Sequence, residues 1–438
     1  MVSNAKVPGP EATGFLSYFF DLLTTNNLLS LGCSSTHASV INASSTISTT
    51  FKMATVTGKC DPRFEQVRSL LEKAIASGDE LGASIAVNLD GEEVVDIWGG
   101  FVDRERTKPW AEDTIVNVWS STKCLMSLTV LKLVEQGVLD LEERVSHYWP
   151  EFGANGKWDI RLRHILSYQD GLPGWDSPIT QEQTLDLEAS ADKLAKQAPW
   201  WEPGTKAGYH PTTIGHLVGM IVRKATGRTL KEIVATEIIG PLGTDYQIGA
   251  LEKDWPRVSP VYPPEDLGGD QLMEPGSISA RTFLNPIPDG SFANTEAWKR
   301  AEMPATNGHT NARGMNRTMT AITSGGTVRG VQILKPETVE LIFKEQYQGP
   351  DATVLAPIRY GIGYSLRGTT EGQTQSLIDP FVPVGKICYW GGWGGSINIM
   401  DLDRKLTITY AMNKMYGSVM GNKNTWAYVQ AIYKALES

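Results

Sequence analysis

Ser120 and Lys123 stand three residues apart, where an extended apolar stretch at residues 115–119 leads into a helical pattern. On one helical turn the lysine amine lies beside the serine hydroxyl, which gives a nucleophile with an attached base. The same spacing occurs at Ser3–Lys6, in a polar segment, and at Ser190–Lys193, in a charged helical stretch where a solvated face is expected. Because only Ser120 lies between a predicted strand and a predicted helix, we predict it as the nucleophile and Lys123 as its base.

Two further motifs follow along the chain. Tyr209 lies in a glycine-bounded loop before a second apolar helical pattern at residues 214–222, and its hydroxyl is suited to relay a proton to or from a serine. The sequence Trp-Gly-Gly-Trp-Gly-Gly-Ser at residues 390–396 precedes a predicted strand at 397–400. Glycines at a strand edge allow a substrate to approach closely.

In order and residue type, the three motifs resemble the signature set of the serine β-lactamase and penicillin-binding-protein superfamily. That set is S-x-x-K, a second motif led by Tyr or Ser, and K-T-G or a relative of it. Within the superfamily the chain looks most like the family VIII carboxylesterases, in which Trp-Gly-Gly often replaces K-T-G. The resemblance covers about residues 61–438 and is reinforced at 137–141, 165–173 and 308–313. It implies three catalytic residues: Ser120, Lys123 and Tyr209.

The third motif leaves a choice, because Trp-Gly-Gly begins at Trp98, at Trp390 and at Trp393. Trp98 precedes the nucleophile and ends a predicted hairpin strand, so we expect it to pack. The resemblance places Trp390 at the position of the K-T-G lysine and the backbone N–H of Trp393 opposite that of Ser120, as a second oxyanion donor. The residues implied for oxyanion or substrate binding are Trp390, Gly391, Gly392, Trp393 and His210.

Two departures from the β-lactamase pattern bear on the substrate. Pro211 stands where that pattern has an asparagine that binds a substrate amide, and proline has no side-chain donor. Trp390 removes the cation that would bind a β-lactam carboxylate. Both losses favour neutral esters over penicillins. Four tryptophans are candidates for an apolar acyl pocket, although most tryptophans in such loops pack: Trp175, Trp200, Trp201 and Trp255.

The sequence therefore predicts a serine hydrolase that cleaves carboxylic esters through an acyl-enzyme on Ser120, with Lys123 and Tyr209 as the base. The alternative is an acyltransferase, a transesterase of a natural-product pathway that uses the same acyl-enzyme. A β-lactamase or peptidase ranks lower, and the intact motif set disfavours an inactive binding protein. We expect a small-molecule ester or acyl substrate and no cofactor. No metal site is expected, since the four cysteines form no C-x-x-C pair.

Composition restricts the partners and the location. The net charge of −9 disfavours a nucleic-acid partner, and the apolar patch at residues 14–31 is too interrupted for a membrane span. The cysteine spacing fits a reducing compartment, so we expect a cytoplasmic protein. Residues 1–55 are predicted to be a disordered or targeting extension. Because residues 34–50 have the composition of a transit peptide, an organelle is the alternative location.

The pattern of elements predicts an α+β fold with one catalytic domain at residues 56–438. The resemblance implies a β-lactamase-like fold, with an antiparallel sheet flanked by terminal helices and an inserted, mostly helical domain. We expect the sheet at 80–118 and 355–415 and the helical subdomain at about 120–345. The predicted elements include an amphipathic helix after Asp61, a hairpin turning at Asp90–Gly91, strands at 361–366, 395–401 and 406–412, and a final helix around 426–432.

Overall fold

A computed structural model describes residues 55–264, 273–418 and 420–437. Its strands, in chain order, are β1 (Thr57–Cys60), β2 (Gly82–Leu89), β3 (Glu92–Gly100), β4 (Ile115–Asn117), β5 (Tyr246–Ile248), β6 (Val258–Ser259), β7 (Gly308–Thr310), β8 (Thr327–Val328), β9 (Val331–Gln332), β10 (Tyr347–Pro350), β11 (Pro357–Tyr360), β12 (Ser365–Leu366), β13 (Ile387–Gly391), β14 (Ile397–Asp401) and β15 (Leu406–Met412). Its α-helices, in chain order, are α1 (Glu65–Ser77), α2 (Thr122–Glu135), α3 (Val145–Tyr148), α4 (Leu162–Leu166), α5 (Gln181–Thr184), α6 (Leu187–Lys196), α7 (Thr213–Thr226), α8 (Leu230–Ile233), α9 (Gly240–Leu242), α10 (Ile278–Phe283), α11 (Glu296–Arg300), α12 (Ala312–Thr323), α13 (Pro336–Ile342) and α14 (Lys423–Leu436).

The main sheet of the described chain has nine antiparallel strands, in the order β1-β3-β2-β15-β14-β13-β12-β11-β10. Strands from the two ends of the chain lie side by side, with Ile85 of β2 opposite Tyr410 of β15. The hairpin turn at Asp90 and Gly91 has positive φ at both residues, 50° and 88°, as a type I′ turn between strands requires. The predicted α+β class, with an antiparallel sheet built from both ends of the chain, is confirmed.

Different helices cover the two faces of the main sheet. On β15, the hydroxyl of Thr409 donates to the carbonyl oxygen of Ala312 in α12, at 2.8 Å. The next side chain, Tyr410, lies on the other face and packs on Tyr428 of α14, with ring centroids 5.4 Å apart. Side chains alternate across a strand, and α14 also contacts α1. The terminal helices therefore cover one face, and α12 covers the other.

Helix α2 lies in the interior, between the main sheet and the helical region. It contacts α7, α8, α12, α13 and β13. Only the side near Lys132 and Val134 is partly exposed. The sequence pattern suggests burial of one side of this helix, but its neighbours enclose it on nearly all sides. The helix ends at Glu135, and Gly137 follows with a φ of 72°, as the expected stop.

The expectation that residues 80–118 all join the main sheet is wrong for β4. This strand belongs to a small sheet with the order β5-β7-β4-β6, where it is parallel to β6 and antiparallel to β7. Strand β3 already pairs with β1 on one side and β2 on the other, so it has no free edge for β4. Within the small sheet, the C-terminal end of β4 leads directly into the Ser120 turn.

The C-terminal strands differ in detail from the sequence prediction. The strand expected at 361–366 is reduced to β12, because Gly363 has a φ of 76° and turns the chain between β11 and β12. Strands β10, β11 and β13 were not predicted. The N-terminal extension predicted at residues 1–55 lies almost wholly outside the described residues.

Candidate active site

Ser120 lies in a tight turn between β4 and α2. Trp119, directly before it, has a positive φ of 49°, a conformation that costs a non-glycine residue about 1–3 kcal/mol. The backbone N–H of Lys123 donates to the carbonyl oxygen of Ser120 at 3.0 Å, so the first helical turn begins at the serine. Ser120 keeps 9% of its surface exposed, whereas Lys123 is fully buried. The turn therefore presents the serine at the start of a buried helix.

The amine of Lys123 is in contact with three oxygen atoms. Its Nζ lies 2.9 Å from Oγ of Ser120, 2.7 Å from the carbonyl oxygen of Pro211 and 3.1 Å from that of Ala305. Among the described residues, no carboxylate forms an ion pair with it. Burial lowers the pKa of Lys123 well below its ordinary value. These surroundings favour a neutral amine.

Tyr209 approaches Ser120 from the loop that precedes α7. Its hydroxyl lies 2.7 Å from Oγ of Ser120. The ring packs against Tyr168 and Trp390, with centroid distances of 5.6 Å and 5.0 Å. Burial raises the pKa of Tyr209 above its ordinary value, so the phenol keeps its proton at neutral pH. The three residues predicted as catalytic are thus brought together around one oxygen atom.

The Trp-Gly-Gly segment after β13 lies against the Ser120 turn. A Cβ at Gly392 would overlap the carbonyl oxygen of Val118, so only glycine allows this approach. Oγ of Ser396 joins the two segments, since it lies 3.0 Å from Oγ of Ser121 and donates to the oxygen of Val118 at 2.8 Å. Among the described residues, the backbone N–H groups of Ser120 and Trp393 have no hydrogen-bond acceptor. They are available to a bound group.

The remaining residues predicted for substrate binding have different surroundings. The N–H of Gly392 already donates to Ser396 at 2.8 Å, and Gly391 ends β13 opposite Ile397. Trp390 is 3% exposed and packs among aromatic rings. His210 is fully buried.

Both ring nitrogens of His210 have partners within the protein. Nδ1 donates to the carbonyl oxygen of Gly208 at 2.6 Å, and Nε2 lies 2.9 Å from Oδ1 of Asp170. This geometry gives no support for contact between His210 and substrate. The two contacts of the His210 ring instead hold the Tyr209 loop in place. From the sequence, Pro211 was noted only for its lack of a side-chain donor. That its carbonyl oxygen accepts from Nζ of Lys123 was not predicted.

A cluster of aromatic rings includes Trp119, the residue directly before Ser120, and the sequence did not predict this cluster. The ring of Trp119 lies 5.5 Å from Trp298 and 5.0 Å from Trp393, and Phe292 follows at 5.9 Å from Trp298. Trp119 adjoins Ser120 in sequence, which is a signal that could have identified it.

Three of the four tryptophans proposed from the sequence for an acyl pocket donate their indole N–H within the protein, whereas that of Trp201, which is 7% exposed, has no hydrogen-bond partner among the described residues. Trp175 donates to the oxygen of Ser190 at 2.9 Å, Trp200 to Asp176 at 2.7 Å and Trp255 to the oxygen of Ala250 at 3.0 Å.

Ser190, the other described serine in a Ser-x-x-Lys pattern, is 1% exposed and not on the solvated face expected. Its hydroxyl donates to the carbonyl oxygen of Gln183 at 2.9 Å. In the described ranges, no group of three or more His, Cys, Asp or Glu side chains is arranged to hold a metal ion. No helix there has the length and apolar character to cross a membrane.

Comparison with known proteins agrees with the motifs and the fold. The sequence profile of the family described as Beta-lactamase matches residues 67–432. The esterase/beta-lactamase LipL of Mycobacterium tuberculosis is 32% identical over 331 residues, which cover 70% of this chain and 74% of LipL.

Two solved structures that are more than 30% identical in sequence share the fold. A family VIII carboxylesterase is 31% identical, with a TM-score of 0.78 over 87% of this chain and 99% of that one. A penicillin-binding protein homologue from Caulobacter crescentus is 32% identical, with the same TM-score and the same coverage. The resemblance read from the motifs is confirmed: the chain belongs to the beta-lactamase family and is an enzyme related to the hydrolases and esterases of that family.

Proposed function

We propose that this protein is an esterase that cleaves neutral carboxylic esters through an acyl-enzyme on Ser120. The observation that carries the proposal is the position of Oγ of Ser120, which lies 2.9 Å from Nζ of Lys123 and 2.7 Å from the hydroxyl of Tyr209. A nucleophile in contact with a base and a proton relay is the arrangement that acyl transfer to serine requires.

The hydrogen-bond count around Lys123 supports its role as the base. A neutral amine has two N–H donors and one lone pair. The carbonyl oxygens of Pro211 and Ala305 accept the two N–H groups, which leaves the lone pair directed at the Ser120 hydroxyl. As Oγ bonds to the ester carbonyl carbon, the serine proton moves to Nζ and the carbonyl oxygen becomes an oxyanion.

The backbone N–H groups of Ser120 and Trp393 are the proposed donors to that oxyanion, because neither has an acceptor within the described protein. When the tetrahedral intermediate collapses, Tyr209 passes a proton to the leaving alcohol and regains one from Lys123. Water then attacks the acyl-enzyme, with its proton taken through the same pair. The ester bond is cleaved, and Ser120 regains its proton.

The surroundings of the site support esters over β-lactams. Trp390 and Pro211 supply neither the cation nor the amide donor that a β-lactam would contact, and the aromatic cluster of Trp119, Trp298, Trp393 and Phe292 adjoins the Ser120 turn. A relative carries the name esterase/beta-lactamase, and a structural neighbour is a family VIII carboxylesterase. We expect aryl esters to react with a kcat/KM about a hundredfold above that of a cephalosporin, which is about 2.7 kcal/mol of transition-state binding.

The decisive experiment compares Ser120→Ala with Ser190→Ala, the matched serine of a second Ser-x-x-Lys pattern. Ser120→Ala should abolish hydrolysis of a p-nitrophenyl ester and labelling by a fluorophosphonate, while Ser190→Ala retains both. Undiminished turnover in Ser120→Ala would refute the proposal. Comparable rates on nitrocefin and the ester would favour a β-lactamase. Transfer of the acyl group to an added alcohol faster than hydrolysis would favour the transesterase.

A further inference from the structure

A buried carboxylate holds the backbone of Tyr209. Asp351 is 1% exposed, and both of its oxygens accept from the N–H of Tyr209, Oδ1 at 3.1 Å and Oδ2 at 2.9 Å. The hydroxyl of Tyr360 donates to Oδ2 at 2.8 Å. Asp351 thus connects the Tyr209 loop, which has no regular secondary structure, to strand β11.

The segment that carries Asp351 is itself well fixed. Oδ1 accepts from the N–H groups of Thr353 and Val354, at 2.8 Å and 2.9 Å. The N–H of Ala352 donates to the oxygen of Ala207 at 2.9 Å, which is a second bond between the two segments. Burial raises the pKa of Asp351, although the hydrogen bonds that it accepts act in the opposite direction. These donors compensate a buried carboxylate that would otherwise be costly.

We propose that Asp351 is a positioning residue, which fixes the hydroxyl of Tyr209 against Ser120 through the bond from its carboxylate to the Tyr209 backbone N–H. The inference rests on the role proposed above for Tyr209. The carboxylate touches neither substrate nor the reacting atoms, so its effect is on where the phenol lies. Since proton transfer depends steeply on distance, a displaced phenol should lower kcat and leave substrate binding almost unchanged.

The Asp351→Asn substitution changes the contact with the N–H of Tyr209 and leaves the contacts within the Asp351 loop in place. An asparagine whose oxygen takes the place of Oδ1 still accepts from Thr353 and Val354. Its NH₂ then takes the place of Oδ2, where it opposes the N–H of Tyr209 but can donate to the hydroxyl of Tyr360. The variant therefore keeps the turn and breaks the shorter bond to Tyr209.

Asp379→Asn is the matched control. The side chain of Asp379 is 3% exposed, and it accepts from the backbone N–H groups of Gly368, Gln375 and Ser376 at 2.9, 2.7 and 2.9 Å. It is a buried loop aspartate whose partners, these N–H groups and the guanidinium of Arg367 at 3.6 Å, do not include Tyr209. A merely structural loss should therefore appear in both variants.

Steady-state kinetics on a p-nitrophenyl ester and crystal structures of the wild type and both variants make the test. We expect Asp351→Asn to lower kcat roughly tenfold to hundredfold with KM within about twofold, and Asp379→Asn to retain kcat. In the Asp351→Asn crystal, the Tyr209 hydroxyl should leave hydrogen-bond contact with Ser120. If Asp351→Asn does not fold, Tyr360→Phe should still lower kcat, by a smaller factor and with KM retained.

Two results would overturn the inference: a Tyr209 hydroxyl still bonded to Ser120 in the Asp351→Asn crystal, or an equal loss of kcat in Asp379→Asn. The crystal measures the position of Tyr209 without reference to catalysis. Activity that survives Ser120→Ala would refute the proposed function, whereas an unmoved Tyr209 would refute only the role of Asp351.

Discussion

Lys123 and Lys157 are both fully buried lysines, yet their amines have different neighbours. Nζ of Lys157 donates to the carbonyl oxygens of Ala154 and Gln197, the first at 2.8 Å, and lies over the ring of Phe152. Lys123 also donates to two carbonyl oxygens, and it has a serine hydroxyl as its third neighbour. Burial lowers both pKa values, that of Lys157 to about 8 and that of Lys123 well below its ordinary value.

The difference shows that burial alone does not make a lysine a base. Carbonyl oxygens accept from a neutral or a charged amine, so the contacts of Lys157 stabilise its loop in either state. The third neighbour of Lys123 is a hydroxyl that can donate its proton. What distinguishes a catalytic lysine here is therefore the group that faces its lone pair, and this distinction can be tested directly.

The largest effect is expected when the two lysines are replaced by methionine, which has a similar volume and no amine. Lys123→Met should lower kcat on an aryl ester by about a thousandfold, because the base is lost. Lys157→Met should keep kcat within about twofold. Melting temperatures show whether each variant is folded. A loss of kcat in folded Lys157→Met as large as in Lys123→Met would remove the distinction.

The next largest effect on kcat is expected for Tyr209, the proposed proton relay. Tyr209→Phe keeps the ring contacts with Tyr168 and Trp390 and removes the hydroxyl that reaches Ser120, so kcat should fall about a hundredfold. Tyr364→Phe is the control, because its buried hydroxyl donates to the oxygen of Cys124 on the same helix as Lys123, at 2.8 Å. Equal kcat in the two variants would mean that Tyr209 relays no proton.

A smaller effect is expected in the pH profile. The active form of Lys123 is neutral, and burial holds its pKa well below the ordinary value. The rate should therefore be level at pH values above that pKa and fall as the pH is lowered through it. Lys157 titrates near pH 8, but its titration should leave no step in kcat/KM. An identical profile for Lys157→Met supports this account, and the disappearance of a step near pH 8 would contradict it.

Local features of this protein were predictable from the sequence. The Ser120 turn, the Asp90–Gly91 hairpin and the amphipathic helix α1 all follow from residues close together in the chain. Strand β13 was missed because its sequence, Ile-Cys-Tyr-Trp-Gly, does not alternate between polar and apolar residues, whereas β14 and β15, which are equally buried, do alternate. The placement of β4 was wrong because it depends on which edges of the main sheet are already occupied.

Outside the three motifs, contacts between distant segments carried no sequence signal. Asp351 and Tyr209 are 142 residues apart, and nothing in the pattern around either residue indicates the other. The acyl-pocket prediction chose tryptophans by residue type alone, whereas the fold brings Trp298 and Trp393 to the Ser120 turn. The roles of Trp390 and His210 toward substrate stay predictions.

Glu80 extends the comparison to a buried group of opposite charge, with no expected effect on catalysis. Its Oε1 accepts from Asn424 at 2.9 Å, from Tyr428 at 3.4 Å and from Tyr410, and burial raises its pKa from 4.5 to about 7. Because the folded state binds this proton more tightly than the unfolded state, the stability that it contributes is complete below pH 4.5 and is lost as the pH rises through 7.

Between about pH 5 and pH 8, the free energy of unfolding of the wild type should therefore fall by about 2–3 kcal/mol relative to Glu80→Gln, which carries no titrating proton. Urea denaturation at the two pH values measures this difference, and Glu182→Gln, at an exposed position, is the control. A wild type that gains stability relative to Glu80→Gln over this range would show that Glu80 is held as a carboxylate. Burial would then be outweighed by the hydrogen bonds from Asn424, Tyr410 and Tyr428.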